Sequence, residues 1–133
     1  MGHSYNNGLH TTSKGITYDA VRVTGLNTTP CTIAEDCKSG LISGVTRGVT
    51  GEYVFQLTAP FPPKIVACIP HISGTSTTTD LLHARYKDAS YNATTGQFTI
   101  LVSDDDDSGA PIAANGAAAN ELMVLMAFNR YTR

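Results

Sequence analysis

The sequence predicts an all-β fold, an antiparallel β-sandwich or jelly-roll with an extended N-terminal arm. Three observations carry that expectation. Residues 45–58 place a Gly-punctuated turn before a clean alternation in which Tyr53, Phe55 and Leu57 share one face and Val54 and Gln56 the other, the signature of a half-buried strand. Comparable short segments recur along the chain between Gly, Pro, Asn and Thr turn signals. Helix formers are scarce: Glu occurs only as Glu35, Glu52 and Glu121, and charged residues make up 15% of the 133 positions against roughly 25% in an average domain.

Taken in order, residues 1–15 are polar, Gly- and Asn-rich and without period. They read either as a frayed terminus or as an extended arm that orders only against a partner, with a reach of roughly 50 Å at about 3.3 Å per residue. Residues 16–133 are expected to form one sandwich domain, a length able to bury a core without disulfides or metal. Residues 16–24 alternate Tyr18, Ala20 and Arg22 against Thr17, Val21 and Val23 and make the first strand; residues 26–40, with Pro30 and two Cys, make a loop. Residues 41–47 and 52–58 form a hairpin across Gly48-Val49-Thr50-Gly51.

Pro60, Pro62 and Pro63 force a turn, since proline cannot donate to a sheet ladder. Residues 64–72 are apolar at both phases of the alternation, which predicts a strand covered on both faces. Residues 73–79 are a low-complexity Ser/Thr loop. A strand follows within residues 80–90, setting Leu82, Ala84 and Tyr86 against His83, Arg85 and Lys87. A turn at residues 91–96 returns the chain through residues 97–103, with Phe98, Ile100 and Val102 on one side. Residues 104–116 read as a loop, acidic and then Ala- and Gly-rich. Residues 121–130 include seven consecutive apolar positions from Leu122 to Phe128; because every other ordered segment is a strand, this one is expected to be a central strand.

Chemistry-bearing patterns are sparse, and no catalytic, cofactor-binding or metal-binding set is expected. The net charge of -2 and the scattered Lys and Arg give no footprint for nucleic acid. No basic-then-apolar leader opens the chain, no run is long enough for a membrane span, and Asn6 stands where a myristoylation signal needs Ser or Thr. The expectation is a protein made in the cytosol, with no membrane partner. Ser43, between Gly40 and Gly44, lies one place off the nucleophile-elbow spacing. His3, His10, His71 and His83 show no ligand spacing. Cys68 sits in an apolar run as a small buried hydrophobe, while Cys31 and Cys37 flank a polar loop and pair only if their geometry allows. Asp104, Asp105, Asp106 and Asp107 are the one cluster with the oxygen chemistry for a hard cation, but four consecutive carboxylates do not converge by themselves, and a solvated loop is expected. Asn27 and Asn92 begin glycosylation-type triplets that carry no weight in so Thr-rich a chain.

The segment of residues 43–58, the Pro turn and apolar residues 64–72, the Asn92-Ala-Thr-Thr-Gly-Gln-Phe-Thr-Ile100 stretch and the Leu122-Met-Val-Leu125 strand together resemble small virion proteins of tailed bacteriophages. The pattern spans residues 41–130 and is similar to that of head decoration, or cement, proteins with a jelly-roll or β-tulip domain; tail-fibre and knob domains share it at the level of fold. The resemblance implies a homotrimer on the outer face of the phage head that binds the major capsid protein and glues neighbouring capsid subunits, without turnover. Residues 1–15 and 31–39 would then touch the capsid, while residues 73–79 and 104–116 project outward. The alternative it leaves is a receptor- or glycan-binding knob, for which Tyr91 is the one loop-centred aromatic candidate.

Overall fold

The computed structural model describes residues 10–11, 15–73, 82–105, 111–113, 116 and 120–129. Among them there are ten strands: β1 His10–Thr11, β2 Ile16–Thr24, β3 Thr32–Ile33, β4 Ile42–Arg47, β5 Glu52–Leu57, β6 Lys64–Ser73, β7 Leu82–Tyr86, β8 Gln97–Asp105, β9 Pro111–Ala113 and β10 Glu121–Asn129. A single 3-10 turn, Glu35–Cys37, is the only helical piece among the described residues. All pairings are antiparallel. The first sheet runs β1-β2-β10-β6, with β3 added to β2; the second runs β4-β5-β8-β7, with β9 added to β8. The expected β-sandwich is what the chain forms.

One apolar core lies between the sheets. From the first sheet it takes Val21, Val23, Leu122, Val124, Met126 and Phe128, and from the second Val45, Tyr53, Phe55, Leu57, Phe98, Ile100 and Val102. Strand alternation alone delivers these side chains inward, because successive residues point to opposite faces. Phe55 and Phe98, paired across β5 and β8, stack with ring centroids 5.0 Å apart. Tyr53 is wholly buried with its phenol satisfied: Oη donates to the Leu26 carbonyl at 2.8 Å and accepts from the Gly116 N–H at 2.8 Å. Burial raises that phenol's pKa.

The turns follow the expected chemistry. In the β4–β5 hairpin the Gly48 N–H donates to the Glu52 carbonyl at 2.8 Å and the Glu52 N–H to Val49 at 2.9 Å, with Gly51 at φ +80°. Before β8, the Asn92 carboxamide oxygen accepts from the Thr94 and Thr95 N–H groups at 2.8 and 3.2 Å. Gly96 then sits at φ +72°, where any Cβ would stand 2.3 Å from the Phe61 ring, so no other residue fits without moving Phe61.

Five expectations are corrected. Residues 64–72 are not covered on both faces: β6 pairs only with β10 and ends the first sheet, so its outward phase is exposed. A bulge opposite Ala127 and Phe128 leaves Val66 unpaired and outside. Cys68, inward on this edge strand, is for the same reason only half-buried. The loop of residues 26–40 contains β3 and the 3-10 turn, and the 104–116 loop is partly a hairpin, since β8 continues to Asp105 and pairs with β9. Finally, the arm is not wholly dependent on a partner: His10 and Thr11 pair with Tyr18 and Thr17 of the same chain. The remaining positions of the 1–15 arm other than Gly15, residues 74–79, and Asp106 and Asp107 lie outside the described residues.

Candidate functional site

The feature that stands out is the outward face of the first sheet. β10 is its centre, with β2 on one side and β6 on the other. Its inward residues Leu122, Val124, Met126 and Phe128 are buried, yet Met123 and Leu125, facing out, are also apolar. The register aligns the outward residues in rows. Ala20, Leu125 and Ile69 stand side by side, then Tyr18, Ala127 and Ala67 in the next outward row, with Arg22, Met123 and His71 at the other end. Exposure is high for such side chains: Tyr18 48%, Val66 48%, Ile69 62%, Met123 38% and Leu125 50%. Between the larger ones the three alanines leave a shallow depression of about 480 Å³. A contiguous apolar patch of this kind is the candidate contact surface of the chain.

At one end the face is bounded by charge. Arg22 pairs with Asp36 at 2.5 Å, and its Nε lies 3.9 Å from Glu121 Oε2. Asp36 belongs to the 3-10 turn of the 31–39 loop, which is held against β2 by β3 and by the Ala34 N–H donating to the Arg22 carbonyl at 2.8 Å. The loop expected to touch a capsid therefore borders the apolar face.

The first sheet also buries a polar group. Asp19, on the inward phase of β2, is 5% exposed and accepts from the hydroxyl of Ser39 through Oδ2 and from the Ala20 N–H at 2.8 Å through Oδ1. Ser39 Oγ in turn accepts from the Leu41 and Ile42 N–H groups at 2.9 and 3.1 Å, so the pair pins the start of β4 against β2. Burial pushes the Asp19 carboxyl above its ordinary value, and the hydrogen bonds from Ser39 and Ala20 offset only part of that.

The other singled-out residues do not come together. Ser43 is exposed, and its hydroxyl donates to the Gln56 carbonyl at 3.2 Å. His71 and His83 are exposed on different sheets. Cys31, Cys37 and Cys68 are free thiols: Cys31 is buried and donates to the Thr28 carbonyl at 3.6 Å, and burial pushes the Cys68 thiol up to about 12. Asp104 and Asp105 lie in β8, and among the described residues no three His, Cys, Asp or Glu side chains converge as metal ligands. Tyr91 is held by its hydroxyl donating to the Pro62 carbonyl at 2.5 Å and packs against the core edge rather than presenting a platform. No helix among the described residues is long and apolar enough to cross a membrane.

Two features of the first sheet are not legible in the alternation: the exposure of Ile69 and Val66 on its outward side, hidden by the expectation of a covered strand, and the buried Asp19–Ser39 pair on its inward side. Asp19 was visible in principle, since it falls on the same phase as Thr17, Val21 and Val23. Compared with known proteins, the chain matches no family model, no curated protein and no solved structure.

Proposed function

We propose that this chain is a structural virion protein that binds the outer surface of a tailed-phage capsid as a homotrimer and cements neighbouring major capsid subunits. The observation that supports this reading is the one-sidedness of the sandwich: its first sheet turns exposed large apolar side chains outward, while its second turns out mostly polar and charged groups around the half-buried Val54 and Leu101. A passive clamp needs such a contact surface and no reaction centre. Its action would be mass action, because a subunit that binds only the expanded, assembled shell stabilises that state against every state it does not bind. The 31–39 loop, fastened beside the apolar face, and the arm of residues 1–15 are the segments assigned to the capsid.

The test is to mix the purified protein with expanded phage shells lacking it, then measure bound copies and the temperature at which the shells burst. Saturable binding with a raised bursting temperature is expected. Failure to bind any expanded shell at saturating concentration would overturn the proposal. A variant lacking residues 1–15 is expected to bind with reduced occupancy; unchanged occupancy would remove the arm from the contact.

A further inference from the structure

We infer that the occupant of the first sheet's outward face is the same face of the neighbouring copies around the trimer axis, with the Leu125–Ile69 ridge of each copy seated in the alanine hollow of the next. The inference rests on the self-assembly in the function proposed above and names the surface that would carry it.

Three observations favour a second copy over a different partner. The face is self-complementary in shape: large side chains (Leu125, Ile69) and a hollow floored by Ala20, Ala67 and Ala127 occupy adjoining positions of one sheet, so identical copies offer each other both halves of the fit. It is also neutral where it is apolar. At the end bounded by Arg22, Asp36 and Glu121 the charges already pair within the chain, so apposing copies there forces no uncompensated charge into the contact.

The area is the third. With roughly half of five large side chains showing, the patch amounts to on the order of 400 Å² of apolar surface. A specific interface buries about 800 Å² per partner, an apolar centre within a polar rim. The patch supplies that centre, and Arg22, His71 and Lys64 on the same three strands supply polar margin.

The experiment is sedimentation equilibrium of the full chain over a wide range of concentration, beside Leu125→Glu, Ile69→Lys and the control Thr46→Glu. Thr46 is exposed on the outward phase of β4 in the other sheet. The wild-type chain and T46E are expected as assemblies of more than one chain. L125E and I69K, which place an unpaired charge in the contact, are expected to dissociate to single chains, loosening association by at least about a hundredfold. Far-ultraviolet circular dichroism and an intact cooperative melt would show that both variants fold, as substitutions at exposed positions allow. A wild-type chain that is monomeric throughout, or an assembly that L125E and I69K leave intact while folded, would overturn the inference. Shell binding is scored separately: a monomer that still binds shells would sink this inference and the trimer with it and leave the capsid-cementing role standing, whereas an assembly that binds no shell would sink that role and leave this inference standing.

Discussion

The two sheets are built alike on the inside and differently on the outside. Both line the core with alternating large apolar residues, Val21, Val124 and Phe128 on one side and Phe55, Ile100 and Val102 on the other. Outside, the first sheet shows Tyr18, Ile69, Met123 and Leu125. The second shows Thr46, Gln56, Thr99 and Arg85, with Lys87 donating to Glu52 at 3.0 Å. The second sheet thus carries a mostly polar exterior, interrupted by the half-buried Val54 and Leu101, over the same kind of apolar interior. The outward apolar residues of the first sheet lie outside that shared interior, and they form the surface to which the proposal above assigns contact.

The largest effects should come from the shared interior. Phe55→Ala is expected to cost about 3–5 kcal/mol and Leu122→Ala about 2–5 kcal/mol in urea unfolding, because each removes a fully buried side chain and leaves a cavity. Similar losses from the two sheets would confirm equal inner faces; a small loss at Leu122 would break the comparison. The exception on the inner face, Asp19, gives a pH signature. Its pKa is raised in the folded state, so the native chain holds that proton more tightly. The resulting stabilisation is fully present below about pH 4, where an unfolded carboxyl titrates, and is lost as pH rises through the folded value. Denaturation midpoints measured across this range should fall less steeply with rising pH in Asp19→Asn than in the wild type; parallel curves would show that Asp19 contributes nothing to the dependence. The smallest effect belongs to the second sheet's exterior. Glu52→Gln breaks a partly exposed ion pair with Lys87 and should cost less than about 1 kcal/mol, leaving the sedimentation of the chain unchanged.

Much of the fold was legible because period-two alternation survives in the linear sequence. The phases of β2, β5, β7 and β8 follow directly from Tyr18 against Val21, Tyr53 against Val54, Leu82 against His83 and Phe98 against Thr99, and the seven-residue apolar run of β10 is the central strand it was expected to be. The misreading of β6 is instructive. Ile65, Val66, Ala67, Cys68 and Ile69 are apolar at both phases, which in a central strand means cover on both faces and at an edge means a greasy exterior. Composition is identical in the two cases, so only the sheet order separates them.

What the chain determined by itself was therefore the local part: strand against turn, and the inward phase of most strands. Tertiary structure alone decided that β10 inserts between β2 and β6, which strands end each sheet, that Ser39 meets Asp19 across twenty positions of sequence, and that Tyr18, Ile69 and Leu125 share one exposed face. The physical reason is that alternation reports which residues of a strand point the same way, whereas neighbours and cover depend on long-range pairing, whose hydrogen bonds are made by backbone groups common to every residue.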